Sequence, residues 1–423
     1  MAKATFDYEK LKRAVAGEYH AIRAFVDLKP AGGEMDKIFP PTYQGPDKNP
    51  IYATETRIVN GEEVHCVLID SVQSQANRME MALLEWHRKS KEPPFPLVQI
   101  DFRGTDVDWV GEFTVLEAPH RIADAYFLAC ELDGKPFRSP RKPEKGSDIG
   151  RNVEEARPDN ATGLFGISPT SLIFGMWDSH SKGVLGAKFQ RIMASEVIGI
   201  GVTKDGKRAE SRIDPLIKVA GESLKAKINE DGTWSLVDSP EKKKADSSEK
   251  KEPKKLSGIG LGNITPTLNP TGGVVVKYAR QIAVISLTAL RRLRFPLESK
   301  EGEREEVNTL ARTVLASLSL CALTLLWEEG FSLRSRCELV PVEEPLLELV
   351  SPQRREEFSL DFDAAEDIFR KAVDEAKKVG LPWPTVGDIG PWKNGILTLK
   401  PNKDLVNAIK ESQAKALEIS AES

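Results

Sequence analysis

Apolar residues recur at steps of four, three, four and three over Val72, Ala76, Met79, Leu83 and Trp86, the spacing that sets one stripe of an α-helix against a core. The run VHCVLI (Val64–Ile69) precedes it and predicts a strand. Asp70 or Ser71 is placed to cap the helix, and Pro93 and Pro94 lie just past its end. The same patterning predicts strands over Leu97–Phe102, Trp109–Glu117, Ala123–Leu132 and Ile192–Val202, and β-rich structure over Leu164–Trp177. A hairpin is expected over Leu224–Val237, turning at Asp231-Gly232. VVVKY (Val274–Tyr278) reads as a strand, and Ala279–Arg294 as a helix with Ile282, Ile285, Ala289 and Leu293 on one face. Helices are also expected near Tyr8–Val15, Glu305–Trp327 and Asp363–Val379.

Between these elements, Pro30–Gly45 carries the glycines and prolines of a structured loop. Asp133–Thr162 is polar and long for a connection inside a compact domain, which marks it as a functional or mobile loop. Asp238–Lys255 is lysine-rich and of low complexity, the composition of a disordered segment. Two strand-then-helix units, Val64–Arg88 and Val274–Arg294, separated by irregular insertions, point to an α+β fold of the split βαβ, RRM-like kind. The expected organisation is a palm over residues 1–340, with a disordered loop at 238–257, and an acidic, mainly helical C-terminal extension over 341–423.

With 40% hydrophobic and 29% charged residues in 423, the chain has the balance of a soluble globular protein. The longest apolar stretch, Thr313–Trp327, falls short of the roughly 20 residues that span a bilayer, so a buried core helix is expected there and no membrane association. The first residues, MAKATFDYEKLKR, lack the apolar segment of a secretory signal, and a cytoplasmic location is expected. Cys66, Cys130, Cys321 and Cys337 are scattered without CxxC spacing, which fits reduced thiols rather than a disulfide framework or a zinc site. No cofactor or metal is expected. The net charge of −4 argues against a uniformly basic nucleic-acid binder. The charge is uneven, however: 338–423 holds 17 acidic and 11 basic residues, so the remainder carries +2 and leaves room for a local basic groove.

Three segments carry candidate chemistry. In LIDSVQSQANRME (Leu68–Glu80), Ser71, Ser74, Gln75 and Arg78 fall at i, i+3, i+4 and i+7, with Gln73 and Asn77 beside them. Hydroxyls, amides and a guanidinium at a helix start suit phosphate and sugar oxygens without reading sequence. The plain alternative is an N-cap followed by a solvated face. In Ser168–Arg191, His180, Lys182, Lys188 and Arg191 follow an apolar run and suit a basic loop facing RNA; an ordinary surface loop is the alternative. His180 stands near Asp178, but no nucleophile motif accompanies it. Gly258–Gly273 is glycine-rich without the GxxxxGK[ST] pattern, and it leads into Tyr278 and Arg280. There Tyr278 is placed to stack on a base, unless it is a core tyrosine after a plain turn.

LIDSVQSQANRME, with PAGGEMDKIFPPTY upstream and TGLFGISPTSLIFGMWDSH downstream, resembles the CRISPR-associated RAMP backbone subunit of type I-G (formerly I-U) Cascade surveillance complexes. The likeness spans roughly the first three quarters of the chain. It implies a modified RRM-like (ferredoxin-like) palm with inserted finger and thumb elements. It also implies a non-catalytic role: copies of the chain would line up in a filament along a guide RNA (crRNA) and leave its bases free to pair with target DNA. Partners implied are a fused processing and end-binding subunit, a large subunit, and a helicase-nuclease recruited after target binding. The RNA contacts expected on the matched segments are Ser71, Gln73, Ser74, Gln75, Asn77, Arg78, His180, Lys188, Arg191, Tyr278 and Arg280. An RRM-like, metal-independent RNA-processing endoribonuclease, with His180 or His120 as acid/base, is the competing expectation.

Overall fold

The computed structural model describes residues 6–422 apart from 47–49, 179–187, 204–207, 218–223, 230–232, 238–253, 270, 298–303 and 386. The expected loop at 238–257 and His180 therefore lie largely or wholly outside the described residues. The elements that position the site are β1 (Ala21–Pro30), β2 (Thr54–Val59), β3 (Glu62–Asp70), α1 (Val72–Lys89), β4 (Leu97–Asp101) and β5 (Met193–Ile200). They continue with β6 (Tyr278–Ser286), α2 (Arg304–Glu329), β7 (Cys337–Pro341), β8 (Leu347–Val350), α3 (Phe362–Lys378) and β9 (Ile396–Pro401). Helices and an antiparallel main sheet together make an α+β fold.

The main sheet runs β7, β1, β6, β5, β3, β2, with every neighbouring pair antiparallel. β1 and β5 are therefore parallel to each other with β6 between them, and β6 and β7 are parallel with β1 between them. α1 lies in the connection from β1 to β5, and α2 in the connection from β6 to β7. In β1 and β6 burial alternates with a period of two, because successive side chains point to opposite faces. Ile22, Ala24, Ala283 and Ile285 face the helices and share one core with Ala76, Met79 and Leu83 of α1 and with most of α2. The opposite face holds Arg23, Phe25, Asp27, Tyr278 and Arg280.

The expected helix over Ala279–Arg294 is overturned. Ile282, Ile285, Ala289 and Leu293 do fit a helical stripe, yet Tyr278–Ser286 is extended. Ala279, Gln281, Ala283 and Ile285 point inward and the residues between them outward. Tertiary pairing on both edges of the strand wins over local spacing. Only Leu287–Leu290 is helical there, capped by Ser286. Leu164–Trp177, expected as β-rich, forms two short helices, Thr162–Phe165 and Pro169–Phe174, the second opened by a proline. Within Ala123–Leu132, Asp124 caps a helix over Ala125–Leu128, and only Cys130–Leu132 is a strand. In Trp109–Glu117 the strand is limited to Glu112–Thr114, after a 3-10 turn over Asp108–Val110.

α2 fills the molecule's centre. It is long and apolar enough by composition to cross a membrane, and 94% of its apolar window is buried inside the fold. Its internal hydroxyls are satisfied by their own helix: Thr313 donates to the Thr309 carbonyl at 2.7 Å and Ser317 to the Thr313 carbonyl at 2.9 Å. From 341 on, the chain supplies strands as well as helices. β8 pairs with the first residues of β1, and β9 joins a second sheet beside β4, parallel to it. α3 packs against α2.

Candidate nucleic-acid interface

α1 begins where Ser71, in extended conformation, accepts the Ser74 N–H on its hydroxyl at 3.2 Å. From Val72 to Lys89 no glycine or proline interrupts it, and His87, Arg88 and Lys89 lie in the last turn, where cations are favoured. Gln73 and Asn77 are exposed, and Ser74 and Arg78 are half-buried. Gln75 is not on that face. It is fully buried, one turn before Met79 and next to Ala76, so helical geometry places it on the core stripe. Its amide donates to Asp70 at 2.7 Å, and its carbonyl oxygen accepts from Ser195 and from Gln281, each at 2.9 Å. Gln75 is therefore removed from the RNA-contact set: its polar atoms are occupied by the core.

Ser71 acts as a cap, and Arg78 is partly committed to the fold. The Arg78 guanidinium donates to Asp70 at 3.0 Å and to the Ser332 and Leu333 carbonyls. Arg334 reaches the other oxygen of Asp70 at 3.0 Å, so this buried carboxylate ties α1 to Phe331–Arg334. Ser74, Asn77 and Arg78 border a shallow groove of about 280 Å³ with Met81, Leu326, Glu329 and Ser332.

On the other side of the helix start, Gln73 lines a cavity of about 330 Å³ with His120, Arg121, Phe174, Gly175, Trp177, Lys188, Phe189 and Arg191. Short strands Met176–Trp177 and Lys188–Phe189 pair with each other and bring Trp177 opposite Lys188. Trp177 is 64% exposed, a large aromatic surface left open beside two cations. Among the described residues neither Lys188 nor Arg191 makes an ion pair. Burial and the neighbouring Arg121 draw the Arg191 guanidinium below its ordinary value, with Glu80 pulling weakly the other way.

The cavity wall is fixed from beneath. Arg121 grips Glu80 of α1 through two hydrogen bonds of 2.6 and 2.8 Å, and its third arm donates to the Gly175 carbonyl at 2.9 Å. Burial holds the Glu80 carboxyl above its ordinary value, although the Arg121 contacts draw it down. The guanidinium also lies 5.4 Å from the centre of the Phe174 ring. Gly175 has φ of 82° and ψ of 155°, a conformation open in practice to glycine alone. Deeper in, Arg138 joins Glu154 at 2.7 Å, Asp178 and the Ile122 carbonyl at 2.9 Å. Asp178 accepts from Arg138, and His180, its sequence neighbour, lies outside the described residues.

The expected contacts thus fall in separate places. Gln73, Lys188 and Arg191 converge on the cavity; Ser74, Asn77 and Arg78 border the groove; Tyr278 and Arg280 lie on the sheet face turned away from the helices. Trp177, Arg121 and Phe174 were not picked out as contacts. Trp177 stands in the quoted motif, but an isolated tryptophan after an apolar run gives no sign of its exposure. Arg121 is brought to the site by a turn in which it takes positive φ, 54°, which spacing does not reveal. Among the described residues, no group of three His, Cys, Asp or Glu side chains is placed to hold a metal ion.

Residues 22–204 match the family model described as CRISPR-associated protein GSU0053. The matched stretch runs from β1 through β5 and includes every residue that lines the cavity. No curated protein sequence matches the chain. Among solved structures, the crystal structure of Thermofilum pendens Csc2 is similar at a TM-score of 0.25 and 14% identity, over 88% of this chain and 80% of that one.

Proposed function

We propose that the chain is a non-catalytic, guide-RNA-binding backbone subunit of a type I CRISPR Cascade complex, of the I-G kind, acting in the cytoplasm. Copies would lie side by side along the crRNA and hold its backbone, leaving the bases to pair with target DNA. The other Cascade subunits and the recruited helicase-nuclease would be its protein partners. The observation that carries this reading is the convergence of Gln73, Lys188 and Arg191 on one cavity beside the open face of Trp177, inside the stretch matched to a CRISPR-associated family. Two cations that make no ion pair among the described residues, with an amide, suit phosphate and sugar oxygens; an exposed indole suits a base. The interleaved strand order β7, β1, β6, β5, with α1 and α2 in the two crossovers, supports an RRM-like, ferredoxin-like palm. The segments between β1 and β3 and between β5 and β6 would then be its insertions.

Co-expression with a repeat–spacer RNA tests the proposal. The expected result is an oligomer that retains short RNA through purification, with affinity falling steeply with salt. Lys188→Ala and Arg191→Ala should each lower the magnitude of the salt slope by about one. A chain that stays monomeric and free of RNA would overturn it. His120 lines the same cavity, so metal-independent cleavage of the repeat that is lost in His120→Ala would decide for the nuclease instead.

A further inference from the structure

An antiparallel sheet with one solvated face ordinarily turns polar residues outward. On the face of the main sheet away from the helices, Phe25 is instead 43% exposed in the middle of β1, and Tyr278 opens β6 half-buried. Guanidinium groups fill the interval. That of Arg23 lies 5.0 Å from the centre of the Phe25 ring. That of Arg280 lies 5.9 Å from Phe25 and 5.2 Å from Tyr278, so one planar cation bridges both rings. Each guanidinium is held in place. Arg280 makes two hydrogen bonds, of 2.5 and 2.8 Å, to Asp27 directly opposite it in β1, and Arg23 bonds Glu348 of β8 at 2.6 Å. Paired strands fix the backbone and carboxylates fix the cations, so Phe25, Arg280 and Tyr278 form a preorganised strip of flat groups.

The carboxylates neutralise the guanidiniums, so the strip has little to offer a phosphate. What it offers is π-faces, which suit the flat face of a nucleobase whatever its identity. An apolar protein surface would meet Asp27 and Glu348 interleaved with the rings. The strip is also set apart from the cavity: Arg191 precedes β5 at Met193, whereas Tyr278 pairs with Ile200 at the far end of that strand.

We propose that this sheet face is a second contact surface for single-stranded nucleic acid, on which unpaired bases stack against Phe25 and Tyr278. The inference rests on the chain being an RNA binder, but it assigns a different surface and a different chemistry: rings and bases here, cations and phosphates at the cavity.

The test uses the full chain and a single-stranded oligoribonucleotide carrying 2-aminopurine, whose fluorescence is quenched on stacking. Phe25→Ala and Tyr278→Ala should each weaken binding about tenfold and reduce the quenching, with the salt slope unchanged. Phe25→Tyr and Tyr278→Phe keep the rings and should bind as the parent does. Phe25→Leu keeps apolar bulk without a ring and should behave like Phe25→Ala, which separates stacking from folding. Lys188→Ala should flatten the salt slope and leave the quenching of bound RNA intact. Parental affinity and quenching in both alanine variants overturn the inference and leave the cavity reading standing. So does a loss of self-association with RNA binding unaltered, which would make the face a protein interface. Loss of binding in the ring variants, with Lys188→Ala and Arg191→Ala silent, overturns the cavity reading alone. A parent that binds no RNA overturns both.

Discussion

Gln281 donates its amide to the Gln75 carbonyl oxygen at 2.9 Å across 206 residues of sequence, and both side chains are fully buried. The same amide reaches Ser195 at 3.1 Å, and Trp327 of α2 donates its indole N–H to the Gln281 carbonyl oxygen at 2.7 Å. With Gln75 bonded to Asp70, one polar chain crosses the core from β3 through α1, β5 and β6 to α2. It specifies which residues of these elements face one another, since a slip of one residue in β6 would turn Gln281 to the opposite face.

Gln281→Leu should therefore destabilise the fold by more than its hydrogen bonds alone suggest. It strands the part-buried Trp327 N–H and leaves the Gln75 carbonyl oxygen with Ser195 as its one remaining donor among the described residues, and a buried group left unsatisfied costs about 1–3 kcal/mol. Urea denaturation should show a lower midpoint, while RNA binding by the remaining folded protein holds. An unchanged midpoint would mean that the chain of bonds does not order the core.

The first strand–helix unit was legible because two independent signals agree there: a β-branched run ends at Asp70, and capping chemistry starts at Ser71 before an uninterrupted helical stripe. Gln75 was misread because its neighbours Ser74 and Arg78 are polar; a buried glutamine looks like a solvated one until its partners, 120 and 206 residues away, are known. β6 was misread for a related reason. Its outward face carries Ile282 and Val284, so the apolar pattern is two-sided and fits either period. Lys188 and Arg191 were legible as a basic cluster, but their meeting with Gln73 depends on the pairing of two-residue strands, which no spacing encodes. Phe25 carries no signal of its own in the sequence: no element is predicted over Ala21–Pro30, and nothing there distinguishes an exposed ring from a core one.

Gly175 gives the cavity its most exposed point of failure. A Cβ there would stand 3.0 Å from the Arg191 Cγ and backbone N and from the Phe189 carbonyl oxygen, in a backbone conformation that side chains rarely adopt. Gly175→Ala should cost roughly 1–3 kcal/mol and push the strand bearing Lys188 away from Trp177. Thermal denaturation and RNA titration should both register it. A variant with parental affinity would show that the placement of this strand does not matter for binding.

Arg138 is 2% exposed between Glu154 and Asp178. Arg138→Met would remove the cation that two buried carboxylates share, and breaking a buried ion pair from one side costs about 3–5 kcal/mol. Arg138→Lys should rescue little, because a point-like ammonium cannot reproduce the fork that also reaches the Ile122 carbonyl. Since Asp178 directly follows Trp177, RNA affinity should fall along with stability. Calorimetry on the two variants distinguishes them: a lysine that restores the parental transition would mean charge alone is required.

His87 sets a pH dependence of its own. It is 5% exposed, packs against the Phe95 ring, and faces the Phe95 carbonyl across 3.1 Å from Nε2, which requires a proton on that nitrogen. Burial pushes its pKa from 6.5 down to about 4, partly opposed by the Phe95 hydrogen bond. Between those values the unfolded chain takes up a proton that the folded chain refuses. The His87 contribution is thus fully present above about pH 6.5 and is lost as the pH falls toward 4. The loss is roughly 1.4 kcal/mol per pH unit, about 3 kcal/mol in all. Glu305, which burial pushes up but Arg312 draws down further, and Glu356, held down by Lys10, both have pKa values below their ordinary value and lose their contributions at lower pH, as their carboxylates protonate. His87→Phe should therefore remove this rise of stability with pH between about 4 and 6.5, leaving the opposite trend of Glu80, whose raised pKa makes its contribution fall as pH climbs above the ordinary carboxylate range, and the acid limb below it. Urea midpoints measured on parent and variant from pH 4 to 7.5 give the difference directly, and parallel curves through that window would show that His87 does not titrate as a buried neutral group.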